Sequence, residues 1–255
     1  MILIYFLVML SLSHFNKCIS KNIHIKYYSK KINIPQLFNA KTEGQKVYKK
    51  SLYNPNNHLI VCNGPAGSGK TCIACDYSIH NLKLKNYKKI IITRPTVTIQ
   101  EDLGYLPGTI NEKMHPWTLP IFDIFHEYYS KSEIEVLIKD GIIEISPLGF
   151  MQGRTFKDSI IIADEMQNSS IGQMFMLLTR IGHGSKMIIN GDLNQNKWSD
   201  NSLNNGLKDL IKKINNKKIS SNNDDDDSGI ELIELNYEDI VRHPLVSKII
   251  SIYQS

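Results

Sequence analysis

The sequence predicts an α/β domain, a mostly parallel sheet flanked by helices on both faces, and three observations carry that reading. Short runs rich in Ile and Val recur along the chain, longer stretches with helical spacing separate several of them, and the apolar runs mostly end at a Gly, Pro or Asp turn. Uninterrupted apolar runs of this length suit strands buried on both faces, and strands that alternate with helices imply βαβ crossovers. At 255 residues and 42% apolar content the chain can bury a sizeable core, and it fits one such domain more easily than two.

The expected strands are "HLIVCN" (58–63), "KIIITR" (89–94), "GIIEIS" (141–146), "SIIIAD" (159–164) and "KMIING" (186–191). Each is too short to make a helix and has the β-branched content that packs well on a pleated surface. Helical spacing marks 70–86, 111–139 and 168–181. Ligands of such folds gather at the carboxyl ends of the strands, so the residues just after each apolar run are the candidates for chemistry.

Two segments stand apart from this pattern. Residues 1–33 join the apolar run "MILIYFLVMLSL" to a basic tract free of acid, a two-part composition that resembles a leader to an organelle such as a plastid. A plain secretory signal, or a mis-called start and a cytoplasmic protein, would also fit; the apolar run is too short to span a bilayer comfortably, and no stable membrane span is expected once a leader is removed. The folded domain is then expected over 34–255. Within it, "NNKKISSNNDDDDSG" (215–229) is a polar low-complexity tract with no face to bury, expected as a solvated loop.

Charge and cysteine content exclude more than they suggest. The formal net charge is +5, but Lys17, Lys21, Lys26, Lys30 and Lys31 of the leader account for all of it. The rest of the chain is neutral, so any polyanion-binding surface must be a local patch. Cys18, Cys62, Cys72 and Cys75 are too few for a disulfide framework. The Cys72-x-x-Cys75 pair has no second pair at metal-ligand spacing, and both are expected as small buried helix residues.

The strongest motif follows the first strand. Gly64, Pro65, Ala66, Gly67, Ser68, Gly69, Lys70 and Thr71 fit the phosphate-loop pattern G-x-x-x-x-G-K-[ST]. Glycines let successive backbone amides turn inward, and the helix that follows adds free N–H groups and its positive dipole end. Lys70 would neutralise β and γ phosphates and Thr71 would ligate Mg²⁺, so the expected ligand is a nucleoside triphosphate. "DSIIIADEMQN" ends a strand in Asp164-Glu165. Asp164 is expected to hold Mg²⁺, usually through water, and Glu165 to orient and deprotonate the attacking water, which a small-molecule kinase would not need. A third strand runs into "GDLNQ", where Gln195 is the candidate γ-phosphate sensor. Guanine specificity usually relies on N-K-x-D; the nearest match, "NKWS" (196–199), has Ser199 in place of the acid, so ATP is the expected nucleotide.

Together "GPAGSGKT", "TRPTV", "LGYLPG", "MQGRTF", "ADEMQN", "LTRIG", "NGDLNQ" and "EDIVRHPLV" resemble the PhoH-like ATPase family, with a RecA-like P-loop NTPase core related to superfamily 1 helicases. The resemblance covers about residue 40 onward. It implies Mg²⁺-dependent ATP hydrolysis, action on RNA or single-stranded DNA, and ring-like homo-oligomers. It also implies that Gln45, in "KTEGQKVY", reads the adenine edge. Arg94 in "TRPTV" lies where helicase relatives touch a nucleic-acid backbone. Arg242, then Arg154, are the candidates for an arginine finger supplied by a neighbouring subunit, and Arg180 shares the guanidinium geometry that suits phosphate. No second RecA-like core is present in this sequence, so helicase activity in a monomer is not expected, and a ring would complete the cleft. A nucleotide-switched binding protein and, further off, a small-molecule phosphotransferase are the competing functions.

Overall fold

The computed structural model describes residues 38–95, 110–195, 204–220, 229–241, 245 and 252. Its elements run α1 (Glu43–Tyr53), β1 (Leu59–Asn63), α2 (Lys70–Lys83), β2 (Lys89–Thr93), α3 (Ile110–His126), α4 (Lys131–Lys139), β3 (Ile143–Ile145), β4 (Ser159–Ala163), α5 (Ile171–Leu178), β5 (Lys186–Gly191), α6 (Gly206–Ser220) and β6 (Ile230–Glu234). The expectations for a leader at 1–33, and for Arg242, fall outside the described residues. No helix among the described residues is long and apolar enough to cross a membrane.

All six strands pair in parallel, in the order β3-β2-β4-β5-β1-β6. Strand β5 therefore lies between β1, which feeds the phosphate loop, and β4, which ends in the acidic pair. That order suits a RecA-like core, and it brings the ends of three motif-bearing strands side by side.

Alternation along each strand divides the core into two layers. Ile60, Cys62, Ile90, Ile92, Ile160, Ile162 and Ile188 join Tyr48, Leu52, Ile73, Ile121 and Phe125 on the face covered by α1, α2 and α3. Val61, Ile91, Ile161, Ala163, Met187 and Ile189 turn to the other face, under Met174, Leu177, Leu207 and Ile211 of α5 and α6. Each fully buried Ile or Leu contributes about 1.5–3 kcal/mol, so this two-sided burial fixes the strand register that carries the site.

The structure refines several boundaries. The helix expected over 111–139 is two helices, because Ser130 caps α4 in a reciprocal box with Glu133 and stops it from continuing α3. That expected over 168–181 shortens to α5, likewise boxed by Ser170 and Gln173. The polar tract at 215–229 is not all loop: α6 runs to Ser220, held by buried Leu207, Ile211 and Ile214 one or two turns apart. Sequence reasoning did not single out β6, whose "IELIE" pattern is that of a half-exposed edge strand.

Candidate active site

Strand β1 ends at Asn63, and the backbone turns at once into the phosphate loop. Gly64 is required by packing, since a Cβ there would sit 2.7 Å from the Leu235 Cβ. Gly67 (φ 85°) and Gly69 (φ 89°) take left-handed conformations that wrap the loop, and Gly69 is the N-terminal cap of α2. The Ser68 hydroxyl donates to the Pro65 carbonyl (2.8 Å), and the Lys70 ammonium donates to the carbonyls of Gly64 (2.7 Å) and Pro65 (2.9 Å). Lys70 is thus held over the loop, at the point a phosphate would enter.

Across from the loop, the Thr71 hydroxyl donates to Asp164 Oδ1 at 3.0 Å. Asp164 is 7% exposed. Burial, and then the neighbouring Glu165 charge, push its carboxyl above the ordinary range, against the opposing pull of Arg94, the Thr71 bond and Lys70. A buried anion paired with a hydroxyl and beside a second anion is a fit for a hard dication, whose preferred ligands are oxygens. Thr71 and Asp164 are therefore the residues that would hold Mg²⁺.

Glu165 takes a left-handed backbone (φ 55°, ψ 36°). A non-glycine residue in that region costs about 1 kcal/mol or more, and such strain gathers at functional sites. The turn directs Glu165 into a cleft of about 400 Å³ that it shares with Lys70, Thr71, Arg94, Asp164 and Gln195. Gln195 lies in the short helical turn after β5, in a loop tied down when Leu193 N–H donates to Asn63 Oδ1 (3.2 Å) and Gln195 N–H to the Asp192 carbonyl (3.0 Å). Gly191 opens that loop because a Cβ would meet Leu207 at 2.4 Å.

A model of the family described as PhoH-like protein matches residues 38–254. The chain belongs to the PhoH-like protein family. It is 43% identical over 217 residues to a PhoH-like protein of Bacillus subtilis, covering 84% of this chain and 63% of that one. A PhoH-like protein of Synechocystis is 36% identical over 219 residues, with 86% and 63% covered. Protein PhoH of Escherichia coli is 33% identical over 216 residues, with 84% and 57% covered. The chain thus spans less than two-thirds of the length of these relatives. A distant likeness exists to a Sulfolobus solfataricus SWI2/SNF2 ATPase core in complex with double-stranded DNA, at TM-score 0.42 and 10% identity, over 78% of this chain and 45% of that one.

The phosphate loop supports a nucleotide as the ligand of the cleft, and the remaining site residues sort against that frame. Gln45 is 1% exposed and is not among the residues that line the cleft. Its Nε2 spends both hydrogens on the carbonyls of Ser68 and Asp239 (3.1 Å each), and its Oε1 accepts from Lys41 N–H at 2.9 Å. Through these bonds Gln45 braces the backbone of the phosphate loop. Arg154 does not line the cleft of its own chain; it pairs with Glu144 on β3 and lies over the Phe156 ring at 4.7 Å. Arg180 donates to the Arg154 carbonyl (3.1 Å) and to the Met176 carbonyl (3.1 Å), so it ties "LTRIG" to "MQGRTF". Arg94 enters the cleft, with its guanidinium 3.7 Å from Glu165. The segment before Arg242 packs on the phosphate loop, where Val241 N–H donates to the Gly67 carbonyl at 3.3 Å.

Sequence reasoning missed Gln167. Its buried amide donates to Glu165 Oε2 (2.6 Å) and accepts from Asp192 N–H (3.1 Å), bridging the acidic turn to the sensor loop. It was visible only as a letter in "ADEMQN", because the contact depends on β4 and β5 being neighbours. Cys75 is a buried helix residue as expected, whereas Cys72 is only partly buried and lines the cleft; Cys62, Cys72 and Cys75 are free, and burial raises all three thiols, so none is an activated thiolate.

Proposed function

We propose that this chain is a Mg²⁺-dependent ATPase whose turnover is coupled to RNA or single-stranded DNA. The observation that carries the reading is the pair Asp164 and Glu165. One carboxylate is buried against the Thr71 hydroxyl; the other is turned into the cleft by a strained backbone. A site that only bound nucleotide would have no need to hold the second acid in such a conformation.

In this reading the loop amides and Lys70 take the phosphate chain and neutralise its charge. Thr71 and Asp164 hold Mg²⁺, which when bound supplies positive charge to the β and γ oxygens. Glu165 orients a water and takes its proton, with Gln167 fixing one of its oxygens and Arg94 facing the other. Gln195 stands where a loop group can respond to the γ phosphate.

Nucleic-acid coupling is supported by the place of Arg94. It follows β2 in "TRPTV" and faces the candidate base, so a strand that engages this loop would alter the charge beside Glu165. Assembly of several copies into a ring, with Arg242 or Arg154 reaching a neighbour's cleft, belongs to the same proposal. The test is phosphate release from ATP at low salt, where backbone contacts are strongest, with and without single-stranded RNA or DNA. Stimulation that is absent in Lys70→Ala is expected. Hydrolysis indifferent to either strand would instead favour a nucleotide-switched binding protein, a reading that fits the bond from Val241 N–H to the phosphate-loop carbonyl of Gly67.

A further inference from the structure

The amino ends of the strands form the edge of the sheet opposite the phosphate cleft, and a separate cavity of about 440 Å³ opens there. It shares no lining residue with the cleft. His58, just before β1, and Lys186, the first residue of β5, both line it. Tyr53 from the end of α1, Tyr77 from α2 and Tyr87 from the chain before β2 supply aromatic walls, and Leu84 stands at the rim, 48% exposed. The Tyr53 and Tyr77 rings meet edge to face at 5.0 Å, and the hydroxyls of Tyr77 and Tyr87 are 3.5 Å apart.

Lys186 is the unusual member of this lining. It is 2% exposed, and its ammonium donates to the carbonyls of Leu52 (2.6 Å) and Asn54 (2.9 Å) and lies 5.4 Å from the centre of the Tyr77 ring. The two carbonyls take two of its three hydrogens and none of its charge, because a carbonyl carries no net charge. Among the described residues no carboxylate pairs with it. Burial pushes the ammonium down to about 8, and no neighbouring acid holds it up. Capping the end of α1 does not account for this, since a glycine, or a lysine left in water, satisfies terminal carbonyls without desolvating a charge. A buried cation is ordinarily paired, and this one lines a cavity of the size that takes a small ligand, walled by rings and few polar groups. The partner it lacks is a single negative charge. A phosphate dianion would need more donors than one ammonium, and α1 and α2 both bring their partly negative carboxyl ends to the cavity. A carboxylate on a flat ring matches the one cation and the aromatic walls together.

We propose that this cavity binds a small aromatic carboxylic acid, its carboxylate paired with Lys186 and its ring packed among Tyr53, Tyr77 and Tyr87. The test uses benzoate, with benzyl alcohol as the neutral ring and acetate as the charge without a ring, each titrated into the full chain by NMR at low salt. Benzoate is expected to bind in the millimolar range, the scale for so few atoms, and at least about tenfold tighter than either control, the advantage of a hydrogen bond to a charged group. Lys186→Met keeps the apolar stem and removes the charge, so benzoate should fall to the level of benzyl alcohol. Lys70→Ala alters the phosphate cleft alone and should bind benzoate as the wild type does. Leu84→Glu, at an exposed position, sets a like charge at the rim and should weaken benzoate about threefold or more while benzyl alcohol is unmoved. Benzoate no tighter than benzyl alcohol in the wild type overturns the proposal, as does unchanged benzoate affinity in Lys186→Met; if that variant does not fold, unchanged affinity in Leu84→Glu overturns it. Loss of benzoate binding in Lys70→Ala would put the anion in the phosphate loop and overturn it as well.

Discussion

Gln167→Met tests whether the acidic turn and the sensor loop are held as one unit. The substitution keeps the length of the side chain and removes both of its hydrogen bonds. One bond satisfies Asp192 N–H at 3.1 Å in a residue that is 5% exposed. An unsatisfied buried N–H costs about 1–3 kcal/mol. The other bond, at 2.6 Å, reaches a Glu165 carboxylate whose side chain is 34% exposed, so water replaces much of it and the loss is about 0.5–1 kcal/mol. The sum, about 1.5–4 kcal/mol, lowers the melting temperature by roughly 3–16 °C in a domain of this size. A freed Glu165 also loses its aim. General-base catalysis contributes about 10²–10⁴, so partial loss of position should lower kcat by about ten- to a hundredfold while nucleotide affinity changes by less than about threefold. Thermal unfolding and steady-state phosphate release read the two effects. A variant with wild-type kcat would refute the positioning role, and one with a wild-type melting temperature would refute the buried bridge.

Other variants probe other parts of the account. Glu165→Gly and Glu165→Ala should both lose turnover, yet the glycine variant should be more stable by about 1 kcal/mol, because only glycine takes the left-handed turn without strain; equal stability would mean the turn relaxes. Gln45→Met should lower the melting temperature and leave the preference between ATP and GTP unchanged, and a changed preference would return Gln45 to the base-reading role. Arg154→Ala should cost under about 1 kcal/mol, as an exposed pair with Glu144; a tenfold fall in kcat with an unmoved melting temperature would make it a finger acting on a neighbouring subunit. Asp164, raised by burial and by Glu165, holds its proton more tightly when folded, so metal-free stability falls as pH rises from the ordinary Asp value through the raised one. Asp164→Asn should therefore raise the melting temperature of metal-free protein at neutral pH, and the gain should vanish as pH falls; a constant gain would assign the effect to something other than ionisation.

What could be read from the sequence was whatever depends on neighbours along the chain. The phosphate loop is contiguous, and the acids follow four apolar residues of β4, so both were legible along with the strands that carry them. The bracing bond of Gln45 and the whole role of Gln167 were not legible because they are set by residues 23 and 25 positions away, Ser68 and Asp192. The polar appearance of 215–220 hid the end of α6, whose apolar anchors lie upstream at Leu207, Ile211 and Ile214. Arg94 looked like a strand-end contact for a polyanion, and only the β2–β4 pairing, with Thr93 beside Ala163, brings it against Glu165.

The central claim is that Glu165 makes this cleft a hydrolase site as well as a nucleotide site. The measurement is ATP affinity and single-turnover phosphate release, side by side, in the wild-type chain and in Glu165→Gln with Mg²⁺ present. The account predicts that the variant binds ATP as tightly as wild type and releases phosphate at least a hundredfold more slowly, the scale of a lost general base, about 10²–10⁴. Phosphate release at the wild-type rate from Glu165→Gln would contradict it.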